Sequence, residues 1–480
     1  MRKLDHCVTY RAGKRLCALV ICALLLLFTI GRMASAQETL SNRATANALS
    51  ASRLGDLYAQ MQRDNPKLVA AQALVRAAQA RVPGARRPPD PQLQLGFMNY
   101  ELPGLRPMEQ IGMTQLQLMQ MVPLGGKLTL AGRVAGAQAS AIEERGHDLV
   151  WELRRQTAMA FYDLYATDRQ FDVARETLRL LQDIARTAEA MYRVGEGRQA
   201  DVLRAHVEIA RMAGDTMRMQ AMRLSMVARL NALRNTEAAL SITTPALPQF
   251  PDVIPAQSWL DSLAAINRPM IRAGLDGVRA AEASAILARR EIVPDLQVGV
   301  QYGQRSATMT RPDATGVPMA ARTTERMGSL MLGATIPIFA RDRQFQMRNE
   351  ANAMKVMAEA EVAAMRADTR GGIGEAYASL ERARSLSRLY RTTVLPQAEA
   401  TVSSAMSAYR VGTVDFMTLL DSRMTVNTYR QELYVLEADE GKAWAELEML
   451  TGRELIDSHS SALTSAAAIP TGLNATRGSR

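Results

Sequence analysis

The chain has 480 residues, 48% of them apolar and only 5% aromatic, and a formal charge of +10. Few aromatics beside abundant alanine argue against a thick aromatic core and for close-packed helices. Half of the basic excess falls within residues 1–36, so the charge does not form the folded basic patch of a nucleic-acid binder.

Residues 1–36 read as an export signal. Arg2, Lys3, Arg11, Lys14 and Arg15 make a basic start, and Leu16 to Ile30 an apolar stretch. Ala34-Ser35-Ala36 then supplies the small residues a signal peptidase needs, which places cleavage before Gln37. The apolar stretch falls short of the ~20 residues of a transmembrane helix, so export without a retained helical anchor is expected. All three cysteines, Cys7, Cys17 and Cys22, lie in this segment, which leaves the mature chain without disulfides or thiolate metal sites. Cys22 follows Leu19-Val20-Ile21 rather than small residues, so no lipid anchor is expected. An N-terminal segment, 37–52, leads into the first periodic element.

The first half, 53–240, opens with a helix predicted over 53–82. Two short strands follow, about 91–100 and 113–122. Leu93, Leu95 and Phe97 alternate with Gln92, Gln94 and Gly96, and Leu116 and Leu118 with Gln115 and Gln117. Such alternation suits a tilted membrane-spanning strand or a soluble half-buried hairpin. A helix over 126–192 comes next, and at 1.5 Å per residue it spans on the order of 100 Å. Val150, Thr157, Leu164, Phe171, Leu178, Ala185 and Tyr192 step by sevens along it. Leu153, Ala160, Thr167, Ala174, Leu181 and Ala188 form the companion seam, a coiled-coil pattern whose alanines allow close helix approach. A turn at Gly195 leads to a return helix over 199–235. A linker, 241–256, then opens the second half, 257–452. Its order is the same: a helix over 257–291, strands about 295–303 and 328–338, a long helix over 341–409, a turn at Gly412 and a return helix over 415–450. Pro396 predicts a bend in the long helix. The tail, 453–480, is rich in Ser, Ala and Thr and predicts disorder.

The two halves are copies. Val75-Arg76-Ala77-Ala78 returns as Val278-Arg279-Ala280-Ala281, Pro89-Asp90 as Pro294-Asp295, and Val122-Pro123-Leu124 as Ile336-Pro337-Ile338. Tyr192-Arg193-Val194-Gly195 returns unchanged as Tyr409-Arg410-Val411-Gly412. The offset grows from 203 at Val75 and Val278 to 217 at Tyr192 and Tyr409, as loop insertions would make it. Four strands cannot close a membrane barrel, whose smallest form has about 8, and lipid does not tolerate an open edge. If the strands are in a membrane, the protein must be an oligomer.

A signal, two repeats of helix, hairpin, long helix, turn and return helix, and the paired Tyr-Arg-Val-Gly turns resemble the TolC-like outer-membrane efflux proteins. The resemblance covers nearly all of 53–452. The stretch Met119 to Leu128 and Leu395-Pro396-Gln397-Ala398-Glu399 look like the heavy-metal efflux branch. The resemblance implies a mainly α protein with a membrane β-barrel in the bacterial outer membrane. A homotrimer would close 12 strands in lipid and continue them as a periplasmic helical tunnel. It also implies a periplasmic adaptor (a membrane-fusion protein), an inner-membrane proton-driven pump, and heavy-metal cations as substrates. Tyr192, Arg193, Val194, Gly195 and Glu196, with Tyr409, Arg410, Val411, Gly412 and Thr413, would be the tips that meet the adaptor. Helix C-caps are the plainer reading of the two glycines. Asp201 and Asp421 sit where the family carries gate aspartates. Thr418 stands where a second ring aspartate could be, Val414 replaces a basic partner, and Asp415 would compensate one turn away.

No enzyme chemistry assembles from these residues. His147, His206 and His459 are widely spaced, without a ligand partner at i+3 or i+4. Gly125-Gly126-Lys127-Leu128-Thr129 lacks the spaced first glycine and Lys-Ser/Thr pair of a phosphate loop. No cofactor is expected. The 28 methionines read as adaptable packing residues, with soft-metal binding as the alternative. A passive export duct is the resulting expectation. A protein-secretion duct of the same family and a soluble periplasmic coiled-coil scaffold are the rivals.

Overall fold

The computed structural model describes residues 53–456, apart from 102, 105, 109–111, 244, 246, 313, 314 and 317. The expected signal segment, the segment 37–52 and the tail beyond 456 lie outside the described residues.

The elements run in two matching series. The first is α1 (Leu54–Asp64), α2 (Pro66–Ala85), β1 (Gln92–Met98), the two-residue strands β2 (Tyr100–Glu101) and β3 (Arg106–Pro107), β4 (Met113–Val122), α3 (Lys127–Arg193) and α4 (Gln199–Leu233). The second is α5 (Gln257–Asn267), α6 (Pro269–Arg290), β5 (Leu296–Pro312), β6 (Pro318–Ala334) and α7 (Gln344–Leu389). A π-helical turn (Tyr390–Val394), α8 (Leu395–Arg410) and α9 (Phe416–Thr451) complete it. No described helix is long and apolar enough to cross a membrane.

Three expectations need correcting. The helices predicted over 53–82 and 257–291 are each broken, at Asn65-Pro66 and Arg268-Pro269. Proline lacks the N–H that would continue a helix and fits its first position. The Asn65 side chain also caps the new start by accepting from the Lys67 amide at 2.9 Å. The second hairpin is longer than 295–303 and 328–338, pairing without interruption from Leu296 with Ala334 to Pro312 with Pro318. Beyond Tyr302 the apolar alternation fades into Ser306, Thr308, Thr310, Thr323 and Thr324, so periodicity misses strands that backbone pairing keeps. At the other end the strand stops at Ala334 rather than 338, because Pro337 cannot donate to a ladder. Where a bend was expected at Pro396, a π turn (Tyr390–Val394) runs directly into α8.

The chain divides into two units. One comprises 65–155, 251–378 and 443 onward and holds a four-stranded antiparallel sheet in the order β1-β4-β5-β6. One face carries Leu93, Leu95 and Phe97 of β1, Leu116 and Leu118 of β4, Val300 and Tyr302 of β5, and Leu330 and Leu332 of β6, all exposed. The other carries Gln94, Gln117, Gln301 and Ser329 in one cross-strand row. Among the described residues, both outer strands, β1 and β6, have one unpaired edge. At the sheet-to-helix crossing Lys127 is buried, donating to the Val293 carbonyl at 2.8 Å and the Asp295 carboxylate at 2.8 Å, with Glu291 at 3.5 Å. The glycine-rich start of α3 thus serves a structural clamp. Lys127→Ala leaves Asp295 without its cation, and a loss of roughly 3 kcal/mol is expected, seen as a lower melting temperature in detergent.

The other unit comprises residues up to 64, 156–250 and 379–442. Its portion of α3 packs through the companion seam: Ala160, Thr167, Ala174, Leu181 and Ala188 are all buried, as is Leu153 before it. The other seam is mixed, with Thr157, Leu164 and Ala185 buried and Tyr192 exposed. A core of Ala174, Leu181, Ala188, Ala205, Met212, Tyr409, Phe416 and Leu419 joins α3, α4, α8 and α9.

Candidate docking tips and gate

Both tips are built alike. At Gly195 the backbone turns to φ +82°, and at Gly412 to +73°, a region that favours glycine. The Glu196 amide donates to the Met191 carbonyl at 2.9 Å and the Gly195 amide to that of Tyr192 at 3.1 Å. Thr413 to Ala408 at 3.0 Å and Gly412 to Tyr409 at 3.1 Å repeat the pattern. These are the paired bonds of a Schellman helix end. The cap reading of the glycines is therefore correct at the backbone level, and it leaves their outer surface free: a Cβ at either position would meet no atom within 4 Å.

The two tips differ in what they show. Val194 and Val411 are 70% and 73% exposed, and Arg193, Glu196, Arg410 and Thr413 are exposed around them. Tyr192 is 47% exposed, whereas its repeat partner Tyr409 is 6% exposed. Tyr409 packs edge-on against Phe416 with ring centroids 6.0 Å apart. Burial, and then the nearby negative charge of Asp201, push the Tyr409 phenol up from its ordinary range. The structure thus keeps Tyr192 at the surface and makes Tyr409 a core residue.

The three candidate gate acids have three different environments. Asp201 is half-buried in the first turn of α4. Asp421 is exposed on α9, beside an open groove lined by Gln397, Ala398 and Thr401 of α8 and by Thr418, Ser422 and Thr425 of α9. Among the described residues no side chain hydrogen-bonds or ion-pairs with its carboxylate. The two are not repeat-equivalent: the offset at the tips pairs Asp201 with Thr418, and Asp421 with Arg204. Asp415 caps α9, accepting from the Thr418 amide at 3.1 Å and the Thr418 hydroxyl at 2.5 Å. The Thr418 hydroxyl and amide, and the charge of Arg198, hold its carboxyl below the usual range. Arg198 is itself the N-cap residue of α4, so the caps of the two return helices carry opposite charges.

The capping role has a pH signature. Because the folded pKa is lowered, the stabilisation is complete above the ordinary carboxylate range and is lost as pH falls through the lowered value. Melting curves of the protein and of Asp415→Ala should differ near neutral pH and converge in acid.

Ion pairs that sequence reasoning did not find tie the helices behind the tips. Arg430 of α9 reaches Glu399 of α8 at 2.6 Å and Glu176 of α3 at 3.3 Å. Lys442 meets Asp163 at 2.6 Å, and Arg384 meets Glu440 at 2.8 Å. Partners this far apart in sequence leave no local pattern. The Asp415-Thr418 cap did leave one, since an acceptor followed three residues later by a polar partner marks a helix start.

The model of the family described as outer membrane efflux protein matches residues 57–236 and 260–453. The chain belongs to the outer membrane efflux protein family. Its solved neighbours share the fold at low identity. The outer-membrane channel OprN is 20% identical over 83% of this chain and 89% of its own, with a TM-score of 0.66. CusC is 17% identical over 85% and 93%, with 0.71. VceC from Vibrio cholerae is 17% identical over 83% and 96%, with 0.69. No curated protein matches the chain significantly. The protein is therefore an outer-membrane efflux channel component, a transport duct and not an enzyme. Members of this family work with an adaptor and an inner-membrane pump in tripartite systems.

Proposed function

We propose that three copies of this chain close a 12-stranded barrel and act as the passive outer duct of a proton-driven tripartite pump for heavy-metal cations. The supporting observation is the sheet: four strands with free edges at β1 and β6, one face of exposed Leu, Val, Phe and Tyr, and the other lined with Gln and Ser. An open edge is untenable in lipid, and a ring of copies joining β6 to the next β1 removes every edge. The periplasmic adaptor docks on the two tips, at Val194-Gly195-Glu196 and Val411-Gly412-Thr413. Asp421, with Asp201 nearer the core, supplies the acidic ring of the gate, and Asp415 holds the start of α9 in position for it. Metal cations as cargo rest on the resemblance of 119–128 and 395–399 to the heavy-metal branch, with CusC among the structural neighbours. Outer-membrane fractionation tests the placement. The protein should stay with the membrane through urea and alkaline carbonate, whereas release by either would leave a periplasmic scaffold.

A further inference from the structure

The methionines of the sheet are not distributed as its leucines are. In the paired segments, Met98, Met113, Met119, Met121, Met327 and Met331 all lie on the face that carries the glutamines. Leu, Val, Phe and Tyr lie only on the opposite face. Methionine standing in for leucine as a gap-filler would fall on the leucine face. On the polar face it offers thioether sulfur instead. Met98, Met121 and Met327 are 46%, 38% and 40% exposed there, packed against little.

Two of these side chains converge. Met119 of β4 and Met331 of β6 both pair with Gly299 of β5, which lies between them. A Cβ at Gly299 would stand 3.2 Å from Met119 Cγ and 3.4 Å from Met331 Cε, so the two chains lean from either side over the space the glycine leaves. Gly303, two positions along the same face of β5, is covered by Met113, whose Sδ lies 3.0 Å from the Cβ position. Among the described residues no group of three His, Cys, Asp or Glu is placed to hold a metal ion.

We propose that Met119 and Met331, brought together over Gly299, form a binding site for a soft monovalent cation, Cu(I) or Ag(I). Thioethers select such ions over harder ones. A neutral pair binds without the charge neutralisation that would trap the ion, which suits a surface that cations leave as readily as they enter. That this face lines a lumen rests on the duct proposed above; the site itself rests on the sheet.

The test uses full-length protein in mild detergent, carrying methionine labelled with carbon-13 at its methyl group. It is titrated with silver nitrate in chloride-free buffer, and with zinc in parallel. Met119→Leu and Met331→Leu, which conserve volume, assign the two signals. Silver should move both together and zinc neither. The double variant removes both donors and both signals, so its silver binding is read by calorimetry, which should show this binding event lost. Gly299→Val retains both sulfurs and a strand-favouring residue, but occupies the space between them, and should weaken binding as well. Fixed signals throughout the silver titration, equal shifts with zinc, or unchanged affinity in the double variant would overturn the site. Native mass on the same sample separates the two proposals. A trimer with unmoved signals removes the site and leaves the duct, whereas a monomer whose two signals move together removes the duct and leaves the site.

Discussion

Asp421→Ala is expected to raise leakage through the closed duct several-fold and to reduce its preference for cations. Asp421 is exposed on α9 and, among the described residues, its carboxylate has no side-chain partner. The groove beside it is lined by neutral Gln397, Thr401 and Thr425, so among the described residues lining it none carries an opposite charge. Three such carboxylates about a threefold axis would form a ring that concentrates and holds cations. Removing them deletes the one charge that α9 contributes among the described residues lining this groove. Planar-bilayer conductance, with reversal potentials in a salt gradient, reads both effects. Unchanged conductance and selectivity would take Asp421 out of the gate. Asp415→Ala serves as the contrast, because that residue is engaged in its cap and should shift stability more than selectivity.

Valine at Gly195 and Gly412 together is expected to abolish export while leaving the oligomer intact. Both glycines hold positive φ, where an ordinary L-residue is disfavoured by about 1–2 kcal/mol. Neither would clash, since nothing lies within 4 Å of the added Cβ, and both sit at exposed helix ends rather than in the core. The strain stays local, while a branched side chain stands where a partner backbone must come close. Asparagine, which tolerates this conformation, separates the two causes: it should restore thermal stability without restoring export. Metal tolerance of cells carrying each variant, alongside native gels of the extracted protein, reads export and assembly separately. Export at the original level in the valine variant would place adaptor docking elsewhere.

Much of the architecture was legible because it is written as periodicity and repetition. The seam Leu153, Ala160, Thr167, Ala174, Leu181 and Ala188 is buried throughout, and both tips fall where the repeated Tyr-Arg-Val-Gly placed them. The helix breaks at Pro66 and Pro269 were missed although a signal was there: proline is a boundary residue, and the two prolines share the early repeat offset. The far end of the β5-β6 hairpin was not legible, since its apolar alternation fades into threonine-rich sequence while the ladder continues to Pro312 and Pro318. The site was read less well than the fold. Equal tip motifs suggested equal roles, but Tyr409 is a core residue and Tyr192 is not. Aspartates counted from the tip looked alike, yet Asp415 is a helix cap, Asp201 half-buried and Asp421 free at the surface. Such differences depend on which neighbour the fold brings up, and no local spacing encodes that. The methionines were the opposite case. The count alone favoured packing, and only the strand register revealed that they share a face with glutamine.

The most direct measurement is the native mass of the protein extracted from outer membranes in mild detergent. A trimer is the predicted result, with β6 of each copy closing on β1 of the next. A water-soluble monomer or dimer would contradict the duct and leave the sheet as an ordinary half-buried hairpin pair.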